Sequence, residues 1–224
     1  MRPELGDSGR ATCTAFRRSA VAPKAFESRS RMRLPPIAVL NAGLGGNRLL
    51  EDGLGPNALA RFDRDVLSAS GVRYLIVLEG INDLGMLTRD APVSAGQHAV
   101  LVGRIIGAYR QLTLRAHEHG IAVIGGTLPP FGGSAYYHPD AANEADRRAV
   151  NAWIRGGGHF DAVVDFERSL ADPAAPNRLR AAYDSGDHLH PSPAGYRAMA
   201  EAIPPRLFFP QGQRGSLSGA RLAK

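Results

Sequence analysis

The sequence predicts an α/β protein with a doubly wound, mainly parallel sheet, because short apolar runs alternate with amphipathic segments from Pro35 onward. Four runs are rich in aliphatic residues and short, which is typical of strands buried on both faces. They lie at 37–43, 73–80, 121–131 and 161–166. We therefore expect a sheet of four to five strands.

The segments between and after these runs have the features of helices. The longest, at 94–120, begins at Ser94, which is a favourable N-cap, and ends at a glycine. Further helices are predicted at 57–69, at 143–158 and after Ser192. Strands that alternate with such helices normally form βαβ units.

The net charge of +6 is concentrated at the two ends of the chain. Residues 9–34 hold seven basic residues and one acidic residue, and residues 206–224 hold four basic residues and no acid. The stretch 35–205 is left mildly acidic, which argues against a specific nucleic-acid-binding domain. We expect an atypical basic, poorly ordered segment at 1–34, a folded domain at 35–208 and a disordered tail at 209–224.

The composition bears on three further features: disulfide bonds, membrane helices and a signal peptide. The single Cys13 excludes an intrachain disulfide framework, and no apolar run approaches the length of a membrane helix. The first residues lack the pattern of a signal peptide. The expectation is a cytoplasmic protein by default, although a missing N-terminus could have carried an export signal. The oligomeric state has no signature.

Polar residues with catalytic potential follow the predicted strands, where ligands of such sheets bind. Asp187 can hold one imidazole nitrogen of His190 and leave the other free to accept a proton. The Asn82 amide and the Gly46 N–H can form an oxyanion hole. Ser8, in the tripeptide GDS, is the candidate nucleophile.

These residues lie in four short blocks that resemble those of the SGNH hydrolases, also called GDSL-type esterases and lipases. The blocks are GDS at 6–8, NAGLGGN at 41–47, GIND at 80–83 and DHLH at 187–190. Each block alone is a weak signal, but the later three in this order are a strong joint signal.

The resemblance implies a flavodoxin-like three-layer α/β/α sandwich and a metal-independent serine esterase without a cofactor. By position, Ser8 would be the nucleophile, His190 the general base and Asp187 its orienting partner. The N–H groups of Ser8 and Gly46 and the side chain of Asn82 would form the oxyanion hole. The substrate would be a small-molecule carboxylic ester with a short acyl chain, such as a carbohydrate O-acetyl ester, or a lysophospholipid.

The first block departs from the family pattern. Only MRPEL precedes GDS where the family has an apolar strand, and Pro3 is unsuited to a central strand. Either GDS is genuine and follows a damaged first strand, or it is the remnant of a truncated or frame-shifted start. We expect little strand structure before Ser8 and irregular structure across 9–34.

Two alternatives remain open at this point. The chain could be an inactive homologue or a binding module that has lost its first strand. It could also be a metal-dependent hydrolase that uses Asp187, His188 and His190. Two further expectations concern neighbouring residues: Asp83 should cap the segment that follows it, and the loop at 127–137 should form a wall of the acyl or alcohol site.

Overall fold

The structure, a computed structural model, describes residues 14–18 and 37–208. Ser8, the remainder of the basic N-terminal segment and the tail at 209–224 lie outside the described residues. The expectations for those parts of the chain therefore stay predictions.

The described residues form a five-stranded sheet in the order β2-β1-β3-β4-β5. Strand β3 pairs in parallel with β4, and β4 pairs in parallel with β5, whereas β1 is antiparallel to both of its neighbours. Strand β2 therefore runs in the same direction as β3, and the mainly parallel α/β sheet is confirmed. The strands are β1 Thr14–Arg18, β2 Ile37–Asn41, β3 Val72–Val77, β4 Ala122–Gly126 and β5 Ala162–Val164.

The expectation of irregular structure across 9–34 is wrong for residues 14–18, which form the central strand β1. Thr14 pairs with Asn41 of β2 on one side and with Ile76 of β3 on the other. The facing edges of β2 and β3 would otherwise leave backbone N–H and C=O groups unpaired in the middle of the sheet. Residues 14–18 form a strand because they pair with β2 and β3 on both sides. Their own sequence has no pattern that indicates a strand.

Helices flank the sheet on both sides, as the predicted sandwich requires. Helix α3 begins with a capping box between Ser94 and Gln97, and α6 begins after the N-cap Ser192. The α-helices are α1 Ala58–Phe62, α2 Ile81–Thr88, α3 Ala95–Glu118, α4 Ala141–Arg155, α5 Phe166–Leu170 and α6 Pro193–Glu201. Helix α1 continues as a π-helical turn, Asp63–Leu67, and 3₁₀ turns occupy Ala181–Tyr183 and Pro205–Phe208. No described helix is long and apolar enough to cross a bilayer.

The core lies between the sheet and the helices α3 and α4. Leu75 of β3, Val123 of β4, Ile105 of α3 and Val150 of α4 are all fully buried there. Tight packing of such aliphatic groups fixes the ends of β3 and β4, from which the loops of the candidate site emerge.

One charged side chain of α4, Arg147, is fully buried beside this core. Its Nη1 atom donates to the Leu128 carbonyl at 2.8 Å and lies 2.7 Å from Glu167 Oε1. Its Nε and Nη2 atoms donate to both oxygens of Glu144 at 2.8 and 2.7 Å. Arg147 thus joins α4 to the loop after β4 and to α5.

We predict that Arg147→Met lowers the free energy of unfolding by about 3 kcal/mol, because it leaves buried acceptors and carboxylates without their shared cation. Arg148→Met is the matched control, since Arg148 contacts the same Glu144 from the next position but its side chain is 63% exposed. Urea unfolding of the control should change by less than about 1 kcal/mol. Equal losses in the two variants would contradict the assigned role of Arg147.

Candidate active site

A cavity opens at the carboxyl ends of β3 and β4, where the loops after these strands meet the loop before α6. Gly46, Asn82 and His190, which come from three of the four sequence blocks, all line it. The rest of the lining is mainly apolar and consists of Leu78, Glu79, Ile81, Leu128, Pro129, Leu189, Pro191, Tyr196 and Met199. The structure therefore brings three of the predicted site residues together.

Asp187 lies beside His190, with 2.6 Å between Oδ2 and the ring atom Nδ1. Its other oxygen, Oδ1, accepts from the backbone N–H groups of His190 and Leu189 and from the Ser185 hydroxyl at 2.8 to 2.9 Å. Burial alone would raise the pKa of Asp187, but the hydrogen bonds from His190 and Leu189 outweigh it and hold this pKa well below its usual range. An ionised Asp187 fixes Nδ1 and leaves Nε2 available to the cavity that His190 lines.

The same loop contains a second histidine–aspartate pair, formed by His188 and Asp184. His188 Nδ1 lies 2.5 Å from Asp184 Oδ2, and the backbone of His188 has a positive φ of 59°. The His188 side chain is 46% exposed, against 28% for His190, and His188 does not line the cavity. The two pairs have similar local geometry, and only the tertiary position distinguishes them.

The side chain of Asn82, in the first turn of α2, is buried and held at both of its polar atoms. Its Nδ2 atom donates to the Asn47 carbonyl at 2.6 Å, and its Oδ1 atom accepts from the Tyr137 hydroxyl at 2.8 Å. Burial raises the pKa of Tyr137, so its phenol stays a neutral donor. One hydrogen of Nδ2 remains for a ligand in the cavity.

The sequence alone did not reveal the role of Tyr137. The residue lies in the loop that was expected to wall the site, but only Leu128 and Pro129 of that loop line the cavity. Tyr137 instead packs across α2, where a Cβ atom at Gly85 would lie 2.4 Å from its ring. A glycine inside a helical segment was the one available signal of this close approach.

Asp83 does not cap the segment that follows it, so that expectation is wrong. Its carboxylate accepts from the backbone N–H groups of Leu49 at 2.8 Å and Leu50 at 3.0 Å, across to the loop after β2. Burial raises the pKa of Asp83 to about 6, against the opposing effect of these two hydrogen bonds. Asp83 lies within α2, and its carboxylate binds the loop after β2. It thereby holds that loop next to Asn82.

Gly46 occupies a turn whose backbone conformation favours glycine. Its φ is +66°, and a Cβ atom would lie 2.6 Å from Leu54 Cδ1. The neighbouring Asn47 N–H donates back to the Leu44 carbonyl at 3.2 Å. Within the part of the chain that the structure describes, the Gly46 N–H has no hydrogen-bond acceptor.

Glu79 is an acid at the cavity that the sequence reasoning missed. It is buried, its Oε1 atom lies 3.4 Å from Arg61 Nη2, and its Oε2 atom has no hydrogen-bond partner among the described residues. Burial raises the pKa of Glu79 to about 8; Arg61 opposes this shift and Asp83 adds to it. The carboxyl group therefore carries a proton over much of the neutral range.

The described residues contain no group of three or more histidine, cysteine, aspartate or glutamate side chains that could hold a metal ion. The Nδ1 atoms of His188 and His190 each face a carboxylate of their own loop. The arrangement offers a histidine base, an orienting acid and two neutral donors, which together suit acyl transfer.

We predict that Glu79→Gln removes a pH-dependent loss of stability. The folded state raises the pKa of Glu79, so its protonated form contributes stability fully below the ordinary value of 4.5, and this contribution is lost as the pH rises through about 8. The free energy of unfolding of the wild type should therefore fall relative to that of Glu79→Gln between about pH 5 and pH 8. Urea unfolding over this range measures the difference.

The control is Glu51→Gln, because Glu51 is more than half exposed. The pH dependence of unfolding of this variant should run parallel to that of the wild type. If the curve of Glu79→Gln also runs parallel to the wild type, the buried state of this acid is wrong.

Three solved structures place the fold among acylhydrolases. A candidate acylhydrolase from Bacteroides fragilis matches with a TM-score of 0.54 and 22% identity over 71% of this chain and 69% of its own. A GDSL-like lipase from Bacteroides thetaiotaomicron gives 0.51 and 21% over 65% and 66%. An acetylxylan esterase from Geobacillus stearothermophilus gives 0.50 and 24% over 73% and 68%.

Among proteins of curated function, none matches this chain significantly. The sequence model of the GDSL-like lipase/acylhydrolase family, in contrast, matches residues 5–198, which is most of the chain. The matched span includes the loops that carry Gly46, Asn82, Asp187 and His190. The chain therefore belongs to the GDSL-like lipase/acylhydrolase family, within the SGNH hydrolases.

Proposed function

We propose that the chain is a serine ester hydrolase that cleaves short-chain carboxylic esters through an acyl-serine intermediate. The observation that carries the proposal is the placement of Gly46, Asn82 and His190 around one cavity, with Asp187 on the Nδ1 atom of His190. A base, its orienting acid and two neutral donors at one point form the constellation that acyl transfer needs.

In the proposed reaction, Nε2 of His190 takes the proton of the Ser8 hydroxyl as its oxygen attacks the ester carbonyl. Asp187 keeps the imidazole in the required orientation and stabilises its protonated form. His190 then protonates the departing alcohol. A water molecule, deprotonated by His190 in the same way, attacks the acyl-serine and releases the carboxylic acid. Asp187 stays ionised and takes up no proton at any step.

The negative charge of the tetrahedral intermediate would be bound by three donors: the N–H groups of Ser8 and Gly46 and the Asn82 amide. Each such donor contributes on the order of 2.7–4 kcal/mol to transition-state stabilisation in comparable hydrolases. The Tyr137 hydroxyl supports this role of Asn82, because it occupies Oδ1 and thereby leaves Nδ2 as the free donor of a residue that lines the cavity.

The direction of β1 supports Ser8 as the nucleophile. Thr14, the first residue of β1, pairs with residues at the carboxyl ends of β2 and β3, so the chain enters the sheet from the edge where the cavity lies. Five residues separate Thr14 from Ser8, so their Cα atoms can be at most about 20 Å apart. This short connection supports our proposal that Ser8 is the nucleophile at this cavity.

The lining of the cavity supports an ester whose acyl or alcohol group is apolar. The side chains of Leu78, Ile81, Leu128 and Met199 face such a group, and Glu79 is the one acid among the described lining residues. Apolar walls with a few convergent polar groups are typical of small-molecule sites. A short-chain aryl ester is accordingly a suitable probe.

We predict that the chain hydrolyses 4-nitrophenyl acetate and that Ser8→Ala lowers kcat about 10³-fold or more, as the loss of a serine nucleophile does in other hydrolases. A fluorophosphonate should label the wild type, and mass spectrometry should map the label to Ser8. Robust turnover by Ser8→Ala would show that another group attacks the ester. Absence of both turnover and labelling would favour the inactive homologue.

We predict that His190→Ala loses nearly all esterase activity while His188→Ala keeps most of it. His188 is a close control, because both histidines hold an aspartate of the same loop through Nδ1 and only His190 lines the cavity. Initial rates should be measured with and without a chelator. Equal losses in the two variants together with inhibition by the chelator would favour the metal-dependent alternative.

A further inference from the structure

The loop at 42–50, which carries Gly46, is held from α1 by the guanidinium of Arg61. Arg61 is only 3% exposed, and its Nε atom donates to Asn47 Oδ1 at 2.9 Å. Its Nη1 atom also donates to the Ala42 carbonyl. These two acceptors lie on either side of Gly46 in the sequence, so one planar group sets the position of the turn between them.

Arg61 is itself fixed by carboxyl groups on two sides. Its Nη1 atom lies 2.9 Å from Asp65 Oδ2, one helical turn further on, and its Nη2 atom lies 3.4 Å from Glu79 Oε1. A buried guanidinium that left this position would abandon both its counter-charge and its acceptors. The cation is therefore a rigid support, in contrast to a mobile surface arginine.

Asn47 transmits the position of Arg61 to the second donor. Its carbonyl accepts from Asn82 Nδ2 at 2.6 Å, while its own Nδ2 atom donates to the Pro56 carbonyl at 2.8 Å. Asn47 is almost completely buried, so water cannot replace these bonds easily. Through Asn47, Arg61 is linked to the backbone next to Gly46 and to the amide of Asn82.

We propose that Arg61 is a positioning residue of the oxyanion hole and acts through Asn47. The inference rests on the proposed function, because that function makes Gly46 and Asn82 the oxyanion donors. Arg61 touches neither substrate nor reacting atoms. Its loss would misplace both donors, which act on the transition state and only weakly on the bound ester.

The test compares Arg61→Met and Arg61→Lys with Arg115→Met. Arg115 is the matched control, because it donates to the Leu59 carbonyl and to Asp63 Oδ1 in the same helical segment, whereas Arg61 donates to the loop at 42–50. The measurements are kcat and KM for 4-nitrophenyl acetate, corrected for the folded fraction, and amide hydrogen exchange of peptides that cover residues 42–50.

Arg61→Met should lower kcat about 10- to 100-fold with little change in KM, since a displacement of about 1 Å at a catalytic donor can cost that much. Exchange across 42–50 should become faster. Arg61→Lys keeps the charge but lacks the planar fork of the guanidinium, so its loss of kcat should be intermediate. It replaces Arg61→Met in the test if that variant does not fold. Arg115→Met should change stability alone.

Coupling to Asn82 provides the second readout. If Arg61 acts through the oxyanion hole, Arg61→Met combined with Asn82→Ala should lose little more kcat than the larger single loss, whereas independent effects would multiply. Multiplying losses, an unchanged kcat, or a loss equal to that of Arg115→Met would overturn the inference.

The hydrogen-exchange measurement separates this inference from the proposed function. An inactive wild type would refute the proposed function, and exchange at 42–50 would still decide whether Arg61 holds the loop. Unchanged exchange in both Arg61 variants would overturn the positioning role even if the wild type is a good esterase.

Discussion

Three hydrogen bonds, two of them fully buried, join the loop after β2 to the first turn of α2, and the geometry of the site depends on this junction. Asn82 donates to the Asn47 carbonyl, while Asp83 accepts from the N–H groups of Leu49 and Leu50. Two adjacent residues of the block at 80–83 thus hold the loop after β2 in place. Because a side chain supplies one partner of every bond, the two loops cannot move apart without leaving buried polar groups unpaired.

Around this junction the protein buries several ionisable groups. Arg61 and Glu79 are nearly inaccessible, and the pKa values of Glu79 and Asp83 are both raised by burial. Each buried charge opposes folding unless it is paired, so such a cluster is poor evidence for stability. Its value is geometric: the hydrogen bonds of Arg61, Asn47 and Asp83 restrict the arrangement of the loop, and preorganised donors at fixed positions are what an acyl-transfer site requires.

The central strand links the fold to the chemistry. In a fully parallel sheet the first strand would run towards the cavity and end there. Here β1 is antiparallel to both neighbours, and Thr14 rather than Arg18 lies beside the carboxyl ends of β2 and β3. The start of β1 therefore lies at the same end of the sheet as the cavity that His190 lines.

The sequence by itself determined most of the architecture and the principal site residues. Apolar runs and helix caps have local signatures, so the alternation of strands and helices could be predicted, as could helix starts such as the one at Ser94. Gly46, Asn82, Asp187 and His190 could be singled out because each follows a predicted strand or lies in a short recognisable block. The structure places them at one edge, although their catalytic roles remain a proposal.

Only the tertiary structure decided how these residues are supported and which histidine faces the cavity. The hydroxyl of Tyr137 meets Asn82 from 55 residues away, and Asp83 reaches Leu49 across 34 residues. The strand structure of β1 likewise depends on pairing with β2 and β3 on its two sides. Contacts between residues so distant along the chain leave no periodic or local pattern, because they form only when packing brings separate elements together.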